Sequence, residues 1–279
     1  MKVTHLSVSQ VQDWLRCPTL WAARRVYHWE QPPSAAMEVG KVIHEALSAY
    51  HDGGDAELAL LAGWQKLVEA GLTKEYSGQD LFTVLRHYCA VMSPEPGDQT
   101  EVGFRVKVPG IPAPLIGYMD LVRGNVVHEF KSGKWRWGQA KADGELQATL
   151  YHYAFQEVYG HPPEQVVYHA LLLGRVPAVY QLVTQRTPEQ VEKALDLVRR
   201  VYQEIKEAKD GDLIPSCTGS GGFGCRYVEQ CAERGYQAPA ARDVAADGAA
   251  QDRDVTRLRI ARAVAGHGDA GLGEAVAGV

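Results

Sequence analysis

The segment GYMDLVRGNVVHEFKSGK, residues 117–134, decides how the rest of the chain is read. LIGYMDLVR (115–123) and NVVHEFK (125–131) carry the apolar content of strands and meet at Gly124 and Asn125, residues suited to a tight turn. Upstream, Val102, Phe104, Val106 and Val108 alternate with Gly103, Arg105 and Lys107, the period of a half-buried strand. Three consecutive strands with short links predict a meander.

Alternation along the last of these strands sets Glu129 and Lys131 on one face and Phe130 on the other. If the two strands pair as a hairpin, Asp120 reaches the face of Glu129. Two carboxylates on adjacent strands make a hard oxygen site suited to Mg²⁺ or Mn²⁺, and a lysine beside them can hold or deprotonate a water aimed at phosphorus. Solvated strand ends and a surface lysine would give the same residues.

Outward from this core, helical patterns flank the strands. Residues 7–16 open with Ser7 and Gln10 in a capping-box pattern, with Val11, Trp14 and Leu15 at helical spacing before Pro18 interrupts. Residues 36–50 place Val39, Val42, Ile43, Ala46 and Leu47 on one face, and a further helix spans 56–70. After the meander come a helix over 143–159 that stops at Gly160, strands VVYHALLL and AVYQLVT, and a long helix opened by Thr187, Pro188 and Gln190. Residues 1–237 read as one domain, and 238–279, rich in Ala, Gly and Asp, as a poorly ordered tail. Within it, DRDVTRLRIARAVA fits a short amphipathic helix.

A formal charge of −5 confines any polyanion site to a local basic groove. Such a groove is suggested by KSGKWRWGQAK, where Lys131, Lys134, Arg136 and Lys141 meet no acid and Trp135 and Trp137 interleave. Cations for phosphates and aromatics for unpaired bases are the ingredients of a single-strand contact. Equally, the tryptophans could fold back on the core. No stretch is long and apolar enough to span a bilayer, and MKVTHLSVSQ lacks the apolar run of a signal peptide, so the expected address is cytoplasmic with no membrane partner.

There are five cysteines, an odd count that suits free thiols or metal ligation in a reducing compartment. Cys217, Cys225 and Cys231 share a glycine-rich stretch, Cys17 lies at a proline-broken helix, and Cys89 reads as a packed core residue. Four thiolates can hold iron and sulfur or zinc.

Taken in order, SxSQ-x6-CP (7–18), GKVIH (40–44), GYMD (117–120), EFK (129–131), Gln147-x3-Tyr151 and the late cysteines resemble the RecB-type branch of the PD-(D/E)XK nucleases, including iron–sulfur exonucleases of CRISPR systems and related phage and recombination enzymes. The resemblance implies an α/β, restriction-endonuclease-like PD-(D/E)XK core with a mixed central sheet, flanking helices and an N-terminal helical part that joins the cysteine loop. It implies that His44, Asp120 and Glu129 bind Mg²⁺ or Mn²⁺ together with the Phe130 carbonyl, and that Lys131 positions or activates the attacking water. Gln147 and Tyr151, four apart on a helix, would contact DNA or orient Lys131. Cys17, Cys217, Cys225 and Cys231 would hold a [4Fe–4S] cluster, with zinc as the alternative. The expected function is a metal-dependent exonuclease on single-stranded DNA or DNA ends, serving recombination, replication, repair or CRISPR proteins. A non-catalytic adaptor that holds DNA ends on the same fold is the rival, and an intact Asp120, Glu129 and Lys131 set argues against it.

Overall fold

Five strands pair in chain order: β1 (Gln99–Val106), β2 (Leu115–Arg123), β3 (Val126–Gly133), β4 (Gln165–Leu172) and β5 (Ala178–Thr184). Among the described residues only β3 and β4 run parallel, so the sheet is mixed, as the resemblance implies. The computed structural model describes residues 1–30, 34–210, 213, 225 and 227–235. Cys217, the expected tail 238–279 and its amphipathic stretch at 252–265 lie outside the described residues.

Helices cover both faces of the sheet. On one side α3 (Ala35–His51), α4 (Ala56–Glu69) and α5 (Gly78–Val91) pack Val39, Ile43, Leu60 and Leu85 against Leu121, Phe130 and Leu171. On the other, α1 (Val8–Arg16), α7 (Leu146–Tyr159) and α8 (Pro188–Glu207) bury Val11, Phe155 and Val198 against Val122, Val127 and Tyr168. β4 is accordingly buried along nearly its whole length, the condition of a central strand with both faces covered.

The local signals act where the sequence places them. Thr187 and Gln190 form a reciprocal capping box with Pro188 in the first turn of α8. Gly160 closes α7 in the left-handed conformation, and Gly124 turns β2 into β3 with φ 54°. Pro18 interrupts the helix as expected: α1 ends at Arg16, Cys17 before the proline is extended, and α2 (Pro18–Arg25) starts at the proline, whose missing N–H is no loss at a helix start.

One expected helix is broken. Residues 143–159 are not continuous, because α6 (Gln139–Gly144) ends before an extended Glu145 and α7 starts at Leu146. The buried Arg186 holds this break, donating from Nη2 to the carbonyls of Ala142 (3.1 Å) and Glu145 (3.2 Å) and from Nε to Thr149 (2.8 Å). Gln147 is thereby set in the first turn of α7.

Residues 227–235, with the short α9 (Val228–Glu233), dock on the N-terminal helices. Tyr227 and Cys231 bury against Ala23, with Leu20, Trp29 and Cys225 around them. Arg234 covers Tyr27 at 3.7 Å from the ring centre. Cys89 is half-buried against the α3–α5 core near the end of α5, in keeping with a packing residue.

Candidate active site

The site is built where β2 and β3 part. Their ladder is regular from Arg123–Val126 to Leu121–His128 and stops there. One residue further, the Phe130 N–H donates to Asp120 Oδ2 at 2.7 Å, a side chain taking the place of a strand carbonyl. Asp120 is thus fixed between the strands, 8% exposed, with its other oxygen 3.4 Å from Nδ1 of His44.

His44 comes from α3, whose apolar face lies on the sheet. Its ring meets Phe130 edge to face at 5.8 Å, which orients the imidazole toward Asp120. Burial alone would lower its pKa. The hydrogen bond and charge of Asp120, followed by the charge of Glu129, outweigh burial and raise it.

Glu129 is 2% exposed. Its Oε1 accepts from Lys131 Nζ (2.6 Å) and from Gln147 Nε2 (2.8 Å), while Gln147 also donates to the Tyr151 hydroxyl (2.8 Å). Burial drives the Glu129 carboxyl above the usual carboxylate range; Lys131 opposes this and Asp120 adds to it. Burial likewise works against the Lys131 ammonium, yet Glu129 holds its pKa above the ordinary value.

Gln147 thus binds the same Glu129 oxygen that Lys131 does, and Tyr151, at 6% exposure, is bonded to Gln147. Tyr151 is in turn set by Phe104, whose ring meets it edge to face at 5.6 Å. That ring lies over Gly117, where a Cβ would fall 2.6 Å from Phe104 Cζ. The glycine of GYMD therefore makes room for a packing chain from Phe104 through Tyr151 and Gln147 to Glu129.

Glu129 Oε2 is buried and has no hydrogen-bond partner among the described residues. A desolvated carboxylate oxygen left bare is costly, and a hard cation would satisfy it. It feels the charges of Asp120 and His44, which with Glu101 form the close set of possible ligand atoms among the described residues, a set that does not include Glu129; one imidazole and carboxylates fit Mg²⁺ or Mn²⁺.

A residue not singled out from the sequence joins this group. Glu101 of β1 has a carboxylate oxygen that lies, with one ligand atom each of His44 and Asp120, in a set mutually within 4.8 Å. Partial burial and then the Asp120 charge raise its pKa. No spacing motif marks it, and its only local signal is position at the head of the β1 pattern.

The basic loop is less available than its sequence suggests. Lys134 pairs with Glu75 (2.8 Å), Arg136 lies 4.2 Å from the Tyr180 ring centre, and Lys141 sits 3.7 Å over Trp137. Trp137 is half-buried against Tyr168. Trp135 alone of the two tryptophans is open, at 75% exposure. The run's lack of acids holds only along the chain, since Glu75 comes from a distant segment.

No helix among the described residues is long and apolar enough to cross a membrane. None of the curated proteins matches the chain significantly. Among solved structures, a crystal structure from Eubacterium rectale, provisionally described as an exonuclease, is similar at 16% identity and a TM-score of 0.55, covering 88% of this chain and 94% of that one. The crystal structure of SSO0001 is similar at 14% identity and a TM-score of 0.40, covering 83% and 87%. The model of the PD-(D/E)XK nuclease superfamily matches residues 5–232, a span that holds the whole sheet, His44, Asp120, Glu129 and Lys131, and the chain belongs to that superfamily.

Proposed function

We propose that this nuclease is a Mg²⁺- or Mn²⁺-dependent deoxyribonuclease, acting as an exonuclease on single-stranded DNA or DNA ends. The observation that carries the reading is the bare, buried Oε2 of Glu129 in the group that includes Asp120, His44 and Lys131. In this reading His44, Asp120, Glu129 and the Phe130 carbonyl hold the cation. A divalent ion bound there supplies positive charge for the phosphate oxygens and lowers the pKa of water. Lys131, anchored on Glu129, orients the attacking water and can exchange a proton with it. Gln147 and Tyr151 fix the Glu129 carboxylate so that Lys131 and the cation share it. The test is incubation of purified protein with end-labelled single- and double-stranded DNA in Mg²⁺, in Mn²⁺ and in EDTA. Release of mononucleotides or short products from the labelled end, in metal only, is expected; DNA binding without cleavage in either metal would replace the nuclease with an end-holding adaptor.

The open Trp135 supports a DNA path across the 134–141 loop. Trp135→Ala is expected to weaken single-stranded DNA binding by about 1–3 kcal/mol, the worth of one stacked base, with Mn²⁺ affinity unchanged. Fluorescence anisotropy at two salt concentrations measures it, and equal affinity of variant and wild type would remove the residue from the path.

The late cysteines are proposed to hold a [4Fe–4S] cluster with Cys17. Support comes from packing: Cys225 and Cys231 lie in the cluster formed with Ala23 and Leu20 of α2, the helix that Cys17 caps. Cys217 would complete the set. Protein purified without oxygen is expected to be brown, absorb broadly near about 400 nm, and contain iron and acid-labile sulfide. Cys17→Ser, Cys225→Ser and Cys231→Ser should each bleach it, and Cys89→Ser should not. Colourless protein carrying one zinc would put zinc in the cluster's place.

A further inference from the structure

We propose that Glu101 is a direct ligand of the divalent cation, working with His44 and Asp120; the inference rests on the metal-dependent reading above. The strand register sets Glu101 across from Asp120, since the pairs Thr100–Leu121 and Val102–Met119 flank the two. The ladder skips that one step, and Glu101 has φ 47°, the left-handed region that a glutamate seldom occupies. Neighbours on both sides continue the strand, so a single residue turns away from the extended backbone.

That rotation has a consequence at the site. It brings a Glu101 oxygen to within 4.8 Å of both a His44 nitrogen and an Asp120 oxygen. Around a cation with ligand distances of roughly 2.0–2.2 Å, donor atoms lie at most about 4.4 Å apart, a span these side chains reach with small adjustments. Nothing else claims the carboxylate: Glu101 accepts no hydrogen bond and forms no ion pair with a Lys or Arg among the described residues. Two anionic oxygens gathered beside one imidazole are an arrangement that a metal ion stabilises by taking the place of the imidazole's proton.

The independent pointer to a cation is the bare Oε2 of Glu129, on β3. Glu129 on β3 and Glu101 on β1 both feel the charges of Asp120 on β2 and of His44, Glu129 from the buried side and Glu101 from the exposed side. Glu101 would then hold the ion from the side open to substrate, where the ligand set read from the sequence has nothing.

Mn²⁺ binding to the full chain, followed by calorimetry and by the loss of the free-ion electron paramagnetic resonance signal, tests this without reading cleavage. Glu101→Gln is expected to weaken Mn²⁺ binding at least about tenfold, the loss that even an indirect partner of a metal ligand causes. Glu101→Asn should weaken it as much while the melting temperature of metal-free protein does not fall, because asparagine tolerates the left-handed backbone. Glu189→Gln, an exposed acid on α8, should bind as wild type does. Wild-type Mn²⁺ affinity in both Glu101 variants would overturn the proposal and leave the nuclease reading intact. Wild-type protein that binds no Mn²⁺ would overturn both.

Discussion

Asp120→Ala is expected to lower the rate of DNA cleavage by at least ~10²-fold, the cost of several kcal/mol of transition-state stabilisation lost with a hard ligand. Asp120 has two tasks that the variants can separate. Its Oδ2 satisfies the Phe130 N–H at the point where β2 and β3 part, and its Oδ1 faces His44. Alanine removes both, and the stranded N–H should cost a further ~1–3 kcal/mol of stability. Asparagine keeps an acceptor for Phe130 and removes only the charge. Asp120→Asn should therefore melt close to the wild type and still fail to cleave or to bind Mn²⁺ well. Single-turnover cleavage on end-labelled DNA, beside thermal melts, reads both effects. Turnover at the wild-type rate in Asp120→Asn would remove Asp120 from the metal site.

The same residue shows how far local sequence reaches. The β2–β3 hairpin is legible because its apolar content, its Gly124–Asn125 turn and its strand lengths are all short-range properties, and the match at 115–123 extends to both ends of β2. Alternation also predicts that Glu129 and Lys131 share a face, and they are bonded at 2.6 Å. What alternation cannot predict is the end of the ladder at Leu121–His128, which lets a side chain replace a backbone partner. Glu101 escaped for a related reason: its left-handed backbone is an exception to the extended conformation that otherwise describes β1. The break at Glu145 depends on Arg186, and the burial of Trp137 on Tyr168; each partner lies more than thirty residues away. Short-range periodicity thus finds the strands and their chemistry-bearing residues, whereas the contacts that aim those residues are long-range.

A second long-range device, far from any motif, should govern stability. Asp98 precedes β1 and has a side chain 1% exposed, with Oδ2 2.7 Å from His51 Nδ1 and both oxygens accepting from Arg123 at 2.7 and 2.8 Å. His51 ends α3, seven residues beyond His44, and Arg123 ends β2, three beyond Asp120. His51 Nε2 meets the Tyr88 hydroxyl at 2.7 Å, which fits a neutral imidazole that donates to Asp98 and accepts from Tyr88. Burial by itself would raise the Asp98 pKa, but the Arg123 hydrogen bond, the Glu95 N–H and His51 override it and hold the carboxyl at about 2. Asp98→Ala takes the carboxylate from the buried His51 and from the half-buried Arg123, which keeps Glu95 and the Ser93 carbonyl, so a loss of about 3 kcal/mol is expected, a large part of a total of roughly 5–15. The melting temperature should fall by roughly 10 °C. Because the folded pKa is depressed, the charge of Asp98 stabilises fully above about pH 4 and its contribution disappears as the pH falls from about 4 to about 2. Urea midpoints of wild type and Asp98→Asn should therefore differ most at neutral pH, begin to converge below about pH 4 and meet only near about pH 2. A difference that stays constant over that range would mean that the carboxylate charge contributes nothing. Mn²⁺ binding should weaken in Asp98→Ala as well, because α3 and β2, which present His44 and Asp120, lose the joint that fixes one against the other.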